Sequence, residues 1–234
     1  YERINDLLII DKEESNISKS NIKGDIKVNN LSYSYNNIDY LIKDLSLYIK
    51  EGSKILLYGD SGVGKSTFIK ILLGYLNDYK GNVKINDFNI KDIDKFTLNN
   101  SITYISQKEA LFNYNLKDNI LCNREIGDKK YNEILKICNV DKIIESRNFK
   151  DKFIIEDDGF NLSGGERQKI ILARGLLKNS NIIILDEALS EVGLEEEKEI
   201  IKKIFKKYEK KIIIYISHNN EIKELFEYKY NFSK

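Results

Sequence analysis

Apolar and polar positions along the chain follow two periods. Ile26 to Tyr35 and Leu45 to Ile49 alternate apolar with polar, the pattern of half-buried strands, and an antiparallel pairing is predicted for them. Ile55-Leu56-Leu57-Tyr58 is a short unbroken apolar run, the kind that sits inside a sheet covered on both faces. With Ser101 to Ser106, Ile182 to Leu185 and Ile212 to Ile216 it predicts a buried core sheet. A helix is expected to open near Lys65. Between residues 107 and 178 the strand signal disappears and helical spacing takes over, for instance at Tyr131, Ile134, Leu135 and Cys138. That stretch reads as a helical subdomain inserted into the sheet domain. Near the N-terminus, Ile4, Leu7 and Leu8 share a helix face that wants a partner surface, and residues 11 to 24, rich in Ser, Asn, Lys and Glu, read as a polar linker.

Composition narrows the class. A chain of 234 residues with 41% hydrophobic content can bury one large α/β core, or a core plus a small subdomain. Lys+Arg 38 against Asp+Glu 37 gives a net charge of +1, so no broad basic surface for nucleic acid is implied. Cys122 and Cys138 are too few for a disulfide framework or a metal cluster, and read as buried small hydrophobes in a reducing compartment. No apolar run reaches bilayer-spanning length, and no secretory signal is present. The chain contains no Met and begins at Tyr1, so it is expected to be part of something longer.

Three segments carry chemistry. The first, Gly59-Asp60-Ser61-Gly62-Val63-Gly64-Lys65-Ser66-Thr67, is a complete phosphate loop placed between a strand and a helix. Its glycines let backbone N–H groups approach phosphate oxygens, Lys65 brings a positive charge to the β- and γ-phosphates, and the Ser66 hydroxyl is suited to Mg²⁺. The second is Ile182 to Glu187, an apolar strand ending in two carboxylates: Asp186 is expected to hold Mg²⁺ through water, and Glu187 to orient and deprotonate an attacking water. The third is Leu162-Ser163-Gly164-Gly165-Glu166, followed by the helical pattern Ile170, Ile171, Ala173, Leu176, Leu177. It makes a second helix N-terminus whose amides suit an anion. His218, the only histidine, ends the apolar strand Ile212 to Ile216 and is read as functional rather than as a surface residue.

These motifs, in this order, resemble the nucleotide-binding domain of an ABC transporter from about residue 22 onward. The resemblance implies a P-loop NTPase of the α/β class, with a RecA-type core sheet, an antiparallel β part and an inserted helical subdomain. Residues 1–21 are then a linker from an upstream transmembrane domain, residues 22–106 and 179–234 the core, and 107–178 the helical subdomain. ATP and Mg²⁺ are the implied cofactors. Tyr35 matches the aromatic that stacks on adenine, and Gln107 the glutamine that touches metal and water. Ser163, Gly164, Gly165 and Glu166 match the signature that closes over the ATP of another copy, head to tail. Asp186 and Glu187 match the Walker B pair, and His218 the switch histidine at the γ-phosphate. Lys65, Gln107, Glu187 and His218 are thereby the expected catalytic set, and Ser66, Gln107 and Asp186 the metal set.

Leu116-Lys117-Asp118-Asn119-Ile120, Asp157-Asp158-Gly159 and Glu2 to Leu8 are similar to stretches of exporters whose membrane helices lie on the same polypeptide. Asp186 to Val192 looks most like bacteriocin or lantibiotic exporters, with lipid or drug export, or a separately encoded ABC ATPase, as the alternatives. The expected partners are a second copy of the domain and the transmembrane domain, at the cytoplasmic face of the membrane, with no nucleic acid and no direct contact to the transported substrate. One departure matters: Gly193 lies where the family commonly has Asp, which puts polar coupling between paired sites in doubt.

Overall fold

The computed structural model describes residues 17, 21–36, 38–107, 109–147 and 150–232. The expected N-terminal helix, the linker up to residue 20 save for Ile17, and Lys108 lie outside the described residues.

Two sheets face each other across the core. The first is antiparallel in the order β2-β1-β4-β5, from β1 (Ile26–Tyr33), β2 (Ile42–Ile49), β4 (Lys80–Ile85) and β5 (Phe88–Asn89). The second is parallel in the order β6-β7-β8-β3-β9, from β3 (Lys54–Tyr58), β6 (Ile102–Ser106), β7 (Ile182–Asp186), β8 (Ile212–Ile216) and β9 (Tyr228–Asn231). The apolar runs become central strands because both of their faces are covered. Along β7, Ile182 and Ile184 point into a core shared with the antiparallel sheet, α1 (Lys65–Leu72) and α2 (Lys95–Ser101). Ile183 and Leu185 point into the opposite core. A period-2 side-chain pattern with both phases apolar is what such a strand requires.

Residues 107–178 hold α3 (Leu116–Leu121), α4 (Asp128–Ile137), α5 (Val140–Ser146) and α6 (Gly164–Leu176), two 3₁₀ turns, and a single bridge between Asn115 and Ile154. Their apolar faces do not form a separate core. Tyr131, Ile134, Val140 and Ile143 join one continuous cluster with Leu56, Ile105, Ile213 and Tyr215 of the parallel sheet. Last comes α7 (Leu194–Lys207), which packs Ile200, Ile201 and Ile204 into the same cluster.

The boundaries differ from the sequence expectation in physically simple ways. β1 stops at Tyr33, so Tyr35 sits in the bend that follows rather than in the strand. Ser101 closes α2 instead of opening β6. β4, β5 and β9 escaped the pattern reading. Lys80, Gly81 and Asn82 open β4 with no apolar residue, β5 has only two residues, and β9, at the sheet edge, alternates Tyr228 and Tyr230 with polar neighbours, so none of them stands out as an apolar run.

Parallel pairing is what assembles the functional residues. Ser106 pairs with Asp186, Asp186 with Ile216, and Ile216 with Leu57, so the C-terminal ends of β6, β7, β8 and β3 lie in one row. Everything that follows those strands emerges at the same rim, where α/β sheets place their ligands.

Candidate nucleotide site

The phosphate loop leaves β3 through Gly59, Gly62 and Gly64, at φ of 136°, 80° and 104°, backbone conformations that disfavour any residue with a Cβ. Gly64 caps α1 without a side-chain hydrogen bond, so the first-turn amides are open to an anion. Lys65 is buried, and its Nζ donates to the carbonyls of Gly59 (2.6 Å) and Asp60 (2.8 Å), which straps the loop across its own mouth. Burial lowers the Lys65 pKa, while Glu187, Asp186 and Asp60 oppose that shift. Tyr35 reaches the loop from the end of β1: its hydroxyl lies 3.1 Å from Thr67 Oγ1, and its ring stands edge-on to Tyr33 at 4.9 Å.

Opposite the loop, the ends of β7 and β8 carry Asp186, Glu187 and His218. Asp186 is held by Tyr104, whose hydroxyl donates to Oδ2 at 2.9 Å. Burial raises the Asp186 pKa, the Tyr104 bond works against it, and the Glu187 charge adds to the rise. Glu187 adopts a left-handed backbone, φ 52°, and its N–H donates to the Ile216 carbonyl at 3.0 Å. For a non-glycine residue that conformation costs on the order of 1 to 3 kcal/mol, which the β7–β8 pairing sustains. It aims the carboxylate at His218, with Nε2 2.9 Å from Oε1.

Ser61, Gly62, Gly64, Lys65, Ser66, Thr67, Asp186, Glu187 and His218 line one cleft. An adjoining opening is lined by Ser66, Ser106, Gln107, Asp186 and Glu187, so the hydroxyl, carboxamide and carboxylate expected to hold a cation do converge. Among the described residues no cluster of three or more His, Cys, Asp or Glu side chains could hold a metal by itself. The donor set fits a hard cation that takes its remaining oxygens from phosphate and water, as Mg²⁺ does.

Asp60 lends its carbonyl to Lys65, and Val63 lines an apolar hollow next to the loop with Leu41 and Ile42.

The third motif is elsewhere. Ser163, Gly164 and Gly165 do not line the phosphate-loop cleft; Gly164 lines a separate hollow with Gln107, Asp158, Gly159, Leu162, Arg167, Gln168 and Glu191. Ser163 and Glu166 form a reciprocal capping box on α6: Ser163 Oγ accepts from the Glu166 N–H at 3.2 Å, and Glu166 Oε2 from the Ser163 N–H at 2.8 Å. Burial would raise the Glu166 pKa, but the bonds from Ser163 and Arg147 prevail and lower it. Glu166, expected at a nucleotide, is thus engaged within its own chain, with Arg147 Nη2 at 2.9 Å. The two glycines have an intrachain reason as well. A Cβ on Gly164 would stand 1.8 Å from Glu191 Oε2, and one on Gly165 2.9 Å from the Glu191 carbonyl.

Several residues at the site gave no sequence signal. Tyr104 reads as one more apolar strand position. Ser190 Oγ accepts from both Gln107 Nε2 (3.1 Å) and Gln168 Nε2 (2.9 Å), and Gln168 Oε1 accepts the Glu191 N–H at 2.8 Å. That relay joins the Gln107 loop to α6, and only the fold creates it. Gly193 caps α7 at φ −60°, with open space where a side chain would stand. Its conformation does not demand glycine, and glycine leaves the α7 N-terminus without a side-chain cap.

The profile of the ABC transporter family matches residues 42–190. The lactococcin-G-processing and transport ATP-binding protein LagD of Lactococcus lactis subsp. lactis is 36% identical over 227 residues, 94% of this chain and 32% of the relative. The microcin-J25 export ATP-binding/permease protein McjD of Escherichia coli is 34% identical over 203 residues, 86% of this chain and 35% of the relative. The chain therefore spans about a third of the length of these curated relatives. A solved bacterial Atm1-family ABC exporter with ATP bound superposes with a TM-score of 0.84 at 22% identity, covering 94% of this chain and 40% of that one, and so shares the fold. No helix among the described residues is long and apolar enough to cross a membrane. The chain belongs to the ABC transporter family, as its ATP-binding and ATP-hydrolysing part.

Proposed function

We propose that the chain is the ATPase engine of an exporter and that it works as a head-to-tail pair at the cytoplasmic face of a membrane. The observation that carries this is the split between motifs. The phosphate loop, Asp186, Glu187 and His218 share one cleft, whereas the signature helix opens on another. A nucleotide in the first is out of reach of its own chain's signature, and a second copy turned head to tail would supply one.

In this reading the open amides of residues 62–66 and Lys65 hold the phosphates, and the Tyr35 ring stacks on adenine. Ser66, Gln107 and Asp186 would hold Mg²⁺, which when bound neutralises charge on the β- and γ-phosphates. Glu187 takes the proton of the attacking water, and His218 fixes the Glu187 carboxylate through the 2.9 Å contact. The partner's Ser163 hydroxyl and Gly164–Gly165 amides face the γ-phosphate. Chelating the metal with EDTA is expected to stop phosphate release; undiminished release would remove Ser66, Gln107 and Asp186 from the metal role.

The cargo reading is a peptide such as a bacteriocin, favoured by the relatives named for lactococcin G and microcin J25 export. Their threefold greater length supports a transmembrane domain on the same polypeptide, and the exposed Phe112, Tyr114 and Ile154 offer apolar surface for contact with it. ATP-driven uptake of a leader-bearing peptide into inverted vesicles carrying the parent polypeptide tests this. Uptake of lipid or drug but not peptide would overturn the cargo and leave the engine intact.

The base pocket gives a graded prediction. Tyr35→Phe is expected to bind ATP nearly as well as the unmodified chain, and Tyr35→Ala to lose about 1 to 3 kcal/mol, the worth of aromatic stacking on a base. Calorimetric titration decides it, since equal affinities for Phe and Ala would move the stacking role away from Tyr35.

A further inference from the structure

One buried carboxylate is unused by the chemistry above. Glu197 lies in the first turn of α7 and is 4% exposed. Its Oε1 accepts the Tyr215 hydroxyl at 2.6 Å, and its Oε2 accepts Asn219 Nδ2 at 3.5 Å, the long end of the hydrogen-bond range. The direction of the Asn219 amide is set from its other side, because Oδ1 accepts the Glu221 N–H at 2.9 Å and only the nitrogen is left for Glu197. Asn219 N–H in turn donates to Ser217 Oγ at 3.0 Å. Glu197 therefore grips the chain on both sides of His218, three residues before it and one after.

His218 needs such a grip. Its side chain is 45% exposed and sits on a short turn, where an imidazole has several rotamers open to it. Meeting Glu187 depends on where that turn is held. A buried carboxylate without a close cationic partner is costly to a fold: burial raises the Glu197 pKa, the bonds from Tyr215 and Asn219 oppose the rise, and Lys198 contributes least. A task at the site would offset that cost.

We propose that Glu197 is a positioning residue for His218, holding Tyr215 and Asn219 so that the imidazole meets Glu187. The proposal rests on the reading that His218 and Glu187 act together. Because α7 begins directly after the loop bearing Ser190 and Glu191, it also ties the His218 turn to the loop that packs on the signature glycines.

The test uses the fact that His218 is the only histidine, so its ring signals in an NMR spectrum of the histidine-labelled chain need no assignment. Glu187→Gln is expected to move those signals in the unmodified background, to leave them unmoved in Glu197→Ala and Asn219→Ala, and to move them again in Glu197→Gln, whose amide oxygen still accepts from Tyr215. In parallel, phosphate release should show kcat lowered by between about ten- and a hundredfold in Glu197→Ala, with KM for ATP little changed, as for a misplaced catalytic group. Asn219→Ala lies outside the core and keeps the test open should Glu197→Ala not fold. Equal movement by Glu187→Gln in every background would overturn the role of Glu197 alone. No movement in the unmodified background would mean that His218 and Glu187 do not meet, and the underlying reading would fall with it.

Discussion

Glu187→Gln is expected to lower ATP turnover by roughly two to four orders of magnitude, the usual worth of a positioned base, while ATP affinity stays close to that of the unmodified chain. The carboxamide keeps the shape of the side chain and can still contact His218, but it cannot accept a proton from water. In the proposed reading binding rests on other groups, the loop amides, Lys65 and Tyr35; of these Lys65 feels the Glu187 charge, and no hydrogen bond joins the two side chains. Because the product-forming step is what would open a closed pair, the variant should also accumulate as a dimer with Mg²⁺ and ATP. Light scattering together with phosphate release checks both halves. Turnover at the unmodified rate would remove Glu187 as the base, and a monomer at saturating nucleotide would count against the closed pair.

Mixing two inactive variants should restore activity. Lys65→Ala damages the phosphate loop of its own chain, where Nζ straps Gly59 and Asp60. Ser163→Arg leaves that loop intact but places a long side chain at the N-terminus of α6, where the partner's nucleotide would sit. Each alone should be nearly inactive. In a mixed dimer one composite site combines the good loop of one chain with the good signature of the other, and phosphate release should rise to a maximum near equal mixing. Gly193 bears on the outcome. The resemblance places an Asp where Gly193 stands, which puts coupling between paired sites in doubt, and one intact site is expected to fire alone. Full activity of Ser163→Arg by itself, at dilutions where only monomer scatters, would rule out a shared site.

The phosphate loop, the Asp186-Glu187 pair, the signature and His218 stand out in the sequence because the chemistry expected of them calls for particular residues at fixed local spacing. Glycine is favoured where φ is positive and backbone amides must approach an anion closely, as at Gly59, Gly62 and Gly64, and the acids follow a buried strand. The same locality explains the misses. Tyr104 holds Asp186 from the neighbouring strand, Ser190 links Gln107 to Gln168, and Glu197 meets Tyr215 and Asn219, all across distances in sequence that no periodic pattern encodes.

The sequence by itself determined the central strands and the chemical inventory: which runs are covered on both faces, where the helix after the phosphate loop begins, and which loops can cradle an anion. Those are decided by side-chain periodicity, glycine freedom and charge, all properties of short windows. Only the tertiary structure decided what meets what. Strand order β6-β7-β8-β3 brought Gln107, Glu187, His218 and the phosphate loop to one rim, and it left Gly164 of the signature outside the phosphate-loop cleft, on a hollow reached from Gln107. Pairing between distant strands is chosen by the burial of both sheet faces at once, a condition on the whole core that no single segment carries.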